Sequence, residues 1–377
     1  MEKIVIACDS YKGCLSSKEV NEALGVKSEE RRAKKFAHPL EIVSLQMSDG
    51  GEGMLDAFLS AMGGERVSMH AHDALMRWRD AEYGIVTLAP GVLFDAPESI
   101  PVGIIEVAQT AGLAWIEPEQ RNPMKATSWG VGEQVMHAYR RGIRHFVVGL
   151  GGSATSDCGI GMLKAMDDDW KKIRRDCRFI LASDVTNPLC GSNGAAHVFA
   201  PQKGADAAMV ERLDARARKF AEVCKKHFEK KTPSDKSDAL DGMDVSEQPG
   251  AGAAGGLGYA FMQFFHAEFH SGADLLLDAV GFDSLIADAD LVITGEGHSD
   301  QQTLMGKLPM RILQRAKETA PVWLVSGGVS DEEALLAAGF DRVIAVTPDD
   351  MPLEEAMKPE VARKLLSQIG DNIFKNI

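Results

Sequence analysis

One kind of junction occurs four times in this chain. A short apolar run ends in a loop of glycine with acid or hydroxyl residues, and a helical pattern follows. The loops are residues 46–53 (QMSDGGEG), 149–157 (GLGGSATSD), 182–189 (ASDVTNPL) and the stretch after Leu291-Val292-Ile293, TGEGHSDQQTLMGK. Strands are read at 4–8, 41–46, 103–107, 146–150, 178–182, 291–294, 322–325 and 343–346. Helices are read at 17–35, 53–62, 130–141, 206–228, 309–319 and 331–338. Ser16 and Glu19 form a capping-box pattern for the first helix, and Ser330-Asp331 is read as the cap of the last. Alternating strands and helices predict an α/β fold of parallel βα units. In such sheets ligands bind outside the carboxyl ends of the strands, so the four loops are expected to converge on one crevice.

Composition removes several classes of function. A formal charge of −14 argues against a nucleic-acid surface, which needs a clustered basic face. The one long uncharged stretch, residues 248–267, carries glycines, a proline, a histidine and glutamines, so no membrane span is read. The six cysteines have no zinc spacing and read as reduced thiols of a cytoplasmic protein. Residues 250–255 (GAGAAG) satisfy the dinucleotide pattern G-x-G-x-x-G, but VSEQP precedes them where that fold needs a strand. Walker A is absent because Leu308 follows Gly306-Lys307, and no Gly-x-Ser-x-Gly elbow occurs. Residues 229–247 are read as a polar surface excursion and residues 167–178 as a solvated face.

The loop chemistry is that of phosphoryl transfer. Glycine lets backbone N–H groups approach phosphate oxygens, and Ser153 and Thr155 add hydroxyl donors. Asp49, Glu52, Asp184, Glu296 and Asp300 repel phosphate but suit Mg²⁺, which takes one or two carboxylates together with phosphate oxygens. Lys12, Lys203 and Lys307 offer the offsetting positive charge. Catalysis of that kind is mostly positioning and charge neutralisation.

Taken in order, IACDSYKGCLSS, MSDGGEGM, EVAQTAGL, GVGE, GLGGSATSDCGIGML, ASDVTNPLCGSNGAA, FAPQKGA, PGAGAAGGLGYA, ITGEGHSDQQTLMGK and LVSGGV resemble the signatures of the bacterial glycerate kinase family, of the glycerate 2-kinase type. The resemblance runs from Ile4 to about Thr347. It implies ATP-dependent, Mg²⁺-assisted phosphorylation of D-glycerate to 2-phosphoglycerate. A 3-phosphoglycerate product, another small hydroxy acid, or a non-catalytic glycerate or nucleotide sensor stand as alternatives. It also implies two domains with the active site in the cleft. One is a Rossmann-like parallel α/β domain from both chain ends, residues 1–64 and 284–377, and the other an inserted α/β domain, flavodoxin-like or mixed-sheet, at 65–283.

In this reading Lys12 and Asp184 are the catalytic candidates, Asp184 accepting the hydroxyl proton or binding Mg²⁺. An N-cap role is the rival for Asp184. Asp9, Ser10, Ser153, Thr155, Lys203, Gly252, Gly255, Gly256, His298 and Lys307 are candidates for holding substrate or nucleotide, and Asp49, Glu296 and Asp300 for metal. The expected partners are D-glycerate and ATP, with no nucleic acid and no membrane, and a homodimer left open. The sequence departs from the family pattern at His298, where arginine is usual, and at Ser156 and Cys158 in SATSDCG. The family stretch after Met166 is shortened to DDDWKKIRRD.

Overall fold

The computed structural model describes residues 3–25, 40–229 and 243–375. Residues 26–35 of the expected first helix and 230–242 of the expected polar excursion lie outside these. The chain forms two compact units, Met1–Asp49 with Ala273–Ile377, and Gly50–Gly272.

The first unit is built on a five-stranded sheet in the order Arg342–Ala345, Val322–Ser326, Leu291–Gly295, Lys3–Cys8, Glu41–Ser44. Every pairing in it is parallel. Its central strands are continuous apolar runs, because a strand covered on both faces has no polar side to alternate. Ile4, Val5, Ile6, Val292 and Ile293 are all completely buried. Counted along the chain the order is the doubly wound 2-1-3-4-5, whose switch point lies between Lys3–Cys8 and Leu291–Gly295. The first helix begins at Ser17, and its capping box is formed: Glu19 Oε2 accepts from the Ser16 N–H at 2.9 Å, and the Glu19 N–H donates to Ser16 Oγ at 3.3 Å.

The other expected cap is not made. Asp331 precedes Glu332–Ala338 in a left-handed conformation with no side-chain capping hydrogen bond. The Ser330 hydroxyl lies instead 3.1 Å from His298 Nε2. A two-stranded parallel pairing of His298–Ser299 with Gly328–Val329, absent from the sequence reading, brings these residues side by side.

The second unit carries a six-stranded mixed sheet in the order Glu65–His72, Trp78–Leu88, Ile100–Glu106, His145–Gly149, Arg178–Ala182, Glu268–His270. The first three strands pair antiparallel and the last four parallel. The hairpin Glu65–His72/Trp78–Leu88 and the strand Glu268–His270 were not expected from the sequence. The hairpin turn lacks an Asn-Gly signal; Asp73 shapes it, its Oδ1 accepting from the N–H groups of Leu75 and Arg77 at 2.8 and 2.9 Å. Helix Met54–Met62 packs Leu55 and Leu59 over Gly84, within this unit. The charge-dense stretch after Met166 is helical at Trp170–Asp176, with Ile173 fully buried. Among the described residues, no helix is long and apolar enough to cross a membrane.

At Gly295 a Cβ would sit 1.6 Å from the Val325 carbonyl oxygen, so the neighbouring strand passes where any side chain would be. Gly295→Ala is expected to cost more than about 2 kcal/mol in urea unfolding, because a β-carbon there must push backbone apart. Gly297→Ala, whose Cβ would meet Tyr11 at an ordinary 3.5 Å, is the control and should leave the midpoint nearly unchanged.

Candidate active site

In the first unit the loops at the switch point gather a charged cluster. The strand Lys3–Cys8 delivers Asp9, which is 8% exposed, and its backbone N–H is tied to the Gly295 carbonyl at 2.8 Å. Asp9 Oδ1 accepts from the Ser10 N–H at 2.7 Å. Burial, and then the neighbouring Asp49 carboxylate, push the Asp9 carboxyl up to about 7; the Lys12 charge and the Ser10 hydrogen bond only partly oppose this. Lys12 reaches out to solvent and pairs with Asp49 at 2.7 Å.

Glu296, at the end of Leu291–Gly295, is buried and organises the loop after it. Its Oε1 accepts from Thr303 Oγ1 at 2.6 Å and Ser299 Oγ at 3.2 Å, and its Oε2 from Lys307 Nζ at 3.2 Å. Asp300 closes the next turn, accepting from the Gln302 N–H at 2.8 Å. His298 is exposed and packs over Gly328. The structure therefore brings Asp9, Ser10, Lys12, Asp49 and Glu296 into electrostatic contact, joins Lys307 to Glu296, and gives Asp300 a turn of its own.

In the second unit the strand ends collect backbone and hydroxyl groups. The Gly151 N–H donates to the Gly50 carbonyl at 3.2 Å, and a Cβ on Gly151 would lie 2.4 Å from Gly51. Two loops thus cross without side chains above the ends of His145–Gly149 and Arg178–Ala182. Lys203 is 3% exposed and donates to Ser153 Oγ at 3.0 Å and to the Thr155 carbonyl at 2.8 Å. Burial brings its ammonium down to about 7, and the more distant Asp157 only partly opposes this. A neutral amine retains two N–H donors, which suffice for both acceptors.

The glycines of PGAGAAGG make room for protein. A Cβ on Gly255, which has φ +67°, would lie 1.9 Å from the Thr155 carbonyl; one on Gly252 would lie 2.3 Å from the Pro188 carbonyl, and one on Gly256 2.7 Å from Leu189. Gly255 and Gly256 seat the Ser153–Cys158 loop against helix Ala253–Phe265, whose first turn holds the left-handed residues Ala254, Gly255 and Gly256. Asp184 is exposed, and its Oδ1 accepts from the Gly272 N–H at 3.1 Å, at the start of helix Gly272–Ala279.

Two residues with no role in the sequence reading belong here. Glu106 ends the strand Ile100–Glu106, is 3% exposed, and accepts from the Leu55 N–H at 2.6 Å at the start of helix Met54–Met62. Burial raises its carboxyl to about 7. It is a lone acid after PVGII, the same junction signal as the four loops. The Asp157 carboxylate accepts from the N–H groups of Ser128, Gly159 and Gly161 at 2.9, 3.1 and 3.0 Å, knotting two loops to the helix Ile160–Met166.

Carboxylates, lysines, hydroxyls and glycines at the carboxyl ends of parallel strands are the residue types that a small-molecule kinase uses. The sequence profile of the Glycerate kinase family matches residues 4–170 and 166–377. The chain is 35% identical to a glycerate kinase of Bacillus cereus (strain ATCC 10987 / NRS 248), over 98% of this chain and 97% of that one. It is also 35% identical to a glycerate 2-kinase of Escherichia coli (strain K12), over 94% and 93%. A crystal structure assigned to glycerate kinase 2 from Salmonella typhimurium LT2 superposes with a TM-score of 0.75 at 34% identity, covering 100% of this chain and 99% of that one. The chain belongs to the glycerate kinase family.

The raised Asp9 carboxyl has a defined stability signature. Below about pH 4 it is protonated in both folded and unfolded chains and contributes no pH dependence. Between its ordinary value of 3.8 and about 7 the folded chain holds a proton that the unfolded chain has released, so stability falls as pH rises. Asp9→Asn should therefore be near neutral in urea midpoint at pH 4 and stabilising at pH 8, the gain growing across that window.

Proposed function

We propose that this protein phosphorylates D-glycerate with ATP and Mg²⁺, giving 2-phosphoglycerate, as a cytoplasmic enzyme. The observation that carries the reading is the charged cluster at the switch point of the first unit, where Lys12 and Asp49 pair beside buried Asp9 and Glu296. The E. coli relative described as a glycerate 2-kinase supports the substrate and the position of the new phosphate. The six unpaired thiols suit a reducing compartment.

The donor set fits Mg²⁺. Among the described residues no three His, Cys, Asp or Glu side chains gather into a cage, and Mg²⁺ in kinases uses one or two carboxylates with the rest of its shell from phosphate and water. Asp9 and Asp49 repel one another, so a divalent cation would relieve the repulsion that now raises Asp9. Asp49, Glu296 and Asp300 are the proposed carboxylates; bound there, Mg²⁺ would neutralise phosphate charge. Glu296 already holds Ser299, Thr303 and Lys307, so it also fixes the loop that presents Lys307.

Lys12 is exposed enough to swing from Asp49 to an incoming phosphate or carboxylate, and Lys307 adds a second cation. His298 and Ser10 are proposed to contact substrate from the same loops. In the second unit Lys203 holds the Ser153 hydroxyl and the Thr155 carbonyl in place, Ser153 and Thr155 being the proposed contacts to substrate or nucleotide, and Gly252, Gly255 and Gly256 position the loops around them. Asp184 is the proposed acceptor of the glycerate hydroxyl proton. Glu106 is the second candidate, because a carboxyl near 7 is matched to proton transfer at neutral pH.

The deciding measurement is ADP release from Mg-ATP with D-glycerate, with L-glycerate and without acceptor, the product read by phosphorus NMR. Turnover with D-glycerate and a phosphorus signal on the 2-hydroxyl is expected. A 3-phospho product would correct the position, and binding of both ligands without ADP would favour the sensor. Lys12→Ala should lower kcat/KM by about 10²-fold, the usual loss when a donor to transition-state charge is removed.

Asp184→Asn and Glu106→Gln then separate the two proton acceptors. The variant of the true acceptor loses kcat by about 10²-fold or more while keeping its KM for glycerate. Near-wild-type turnover in either removes that residue from the chemistry.

A further inference from the structure

The loop that carries Ser153 and Thr155 continues into a depression of about 250 Å³ in the second unit, on no part of which the reading above draws. Ser156 and Ile160 line one wall and Arg216, Lys219, Phe220 and Val223 of helix Ala207–Glu229 the other. The geometry points to this depression as the seat of the base and ribose of the nucleotide donor. The inference rests on the kinase reading and assigns the nucleotide to the second unit.

Three observations lead there. Ser156 is 8% exposed and its hydroxyl has no hydrogen-bond partner among the described residues, although it lines the depression. A buried hydroxyl without a partner costs free energy, and a ligand's polar atom would satisfy it. Asp157 also lines the depression, but backbone N–H groups donate to both its oxygens and partly offset its charge.

The second observation is the wall opposite. Phe220 is half-buried, held edge-on by Tyr259 at 5.9 Å between ring centres, and Ile160 and Val223 flank it. Such a surface suits a flat aromatic ring and has little to offer a small hydroxy acid. Third, Arg216 and Lys219 put two cations on the rim, where an anionic tail would pass. Ser156 lies three residues after Ser153, so a ligand with its base here has its phosphates led along the same loop toward the Ser153 hydroxyl. The size is just under the roughly 300–1,000 Å³ of small-molecule sites, consistent with holding only one end of the ligand.

The test titrates ADP, adenosine and inorganic pyrophosphate by calorimetry into the whole protein, with Val223→Trp and Arg216→Glu beside the wild type. Val223 is 56% exposed, so the larger ring fills the depression without entering the core. Val223→Trp should weaken ADP and adenosine by at least tenfold and leave pyrophosphate unchanged, while Arg216→Glu weakens ADP and pyrophosphate. In turnover both variants should raise the KM for ATP and leave that for D-glycerate unaltered.

Unchanged ADP affinity in Val223→Trp, or no ADP binding to the wild type, overturns the proposal. So does a loss of pyrophosphate equal to that of ADP in Val223→Trp, which would make the depression a phosphate site. Wild-type turnover with an unshifted ATP KM in Val223→Trp leaves the kinase reading standing and this one fallen. Absent turnover with ADP binding that Val223→Trp abolishes does the reverse.

Discussion

Three ionisable groups are taken out of water, two of them at strand ends and one in the turn Pro201–Lys203 between two helices, and much of the local structure is arranged around that cost. Asp9, Glu106 and Lys203 are each more than nine-tenths buried, and burial moves each to about 7. None has a close opposite charge of the kind that would repay desolvation in full. They are held by one or two dipoles instead: the Ser10 N–H for Asp9, the Leu55 N–H and the Gln109 amide for Glu106, the Ser153 hydroxyl and Thr155 carbonyl for Lys203. Groups left this close to neutrality exchange protons readily near pH 7, which is what acid–base and charge-transfer work requires.

Close backbone approach makes the arrangement feasible. The parallel sheet brings Gly295 against the Val325 carbonyl, and the Ser153–Cys158 loop lies on Gly255. Each contact removes a side chain and substitutes main chain, so loops come within hydrogen-bonding distance of one another. The stiffness of the two loops follows from different chemistry. Glu296 ties its loop with two hydroxyls and a lysine, whereas Asp157 adds three backbone N–H groups to the hydroxyls of Thr127 and Ser128. A carboxylate held in this way braces its loop as well as offering charge to it, whereas Asp49 is tied by a lysine that can swing away.

Much of this was legible. The central strands of both sheets appear in the sequence as apolar runs because burial on both faces erases alternation. The junctions after them carry Asp9, Lys12, Asp49, Ser153 and Glu296, all of which the structure places at strand ends or in the loops that follow. The hairpin Glu65–His72/Trp78–Leu88 escaped because its turn is set by the Asp73 side chain and lacks a glycine dipeptide. The Asp331 cap was expected from local preference, and a neighbouring strand pairing overrode it. The dinucleotide-like glycines spaced themselves for Thr155, Pro188 and Leu189, a purpose that the pattern G-x-G-x-x-G does not reveal.

Which segments become the central strands and their flanking helices, and which residue types stand at their ends, was written in the chain. Those follow from local backbone preference and apolar period, which act over a few residues. Packing settled that Glu106 is a buried acid, that Lys203 has lost most of its water, that Asp157 is taken up by hydrogen bonds from its own protein, and that the Ser156 hydroxyl has no partner among the described residues. Protonation and hydrogen-bond saturation depend on which groups from distant parts of the chain surround a side chain, and that is settled only when the sheets have packed.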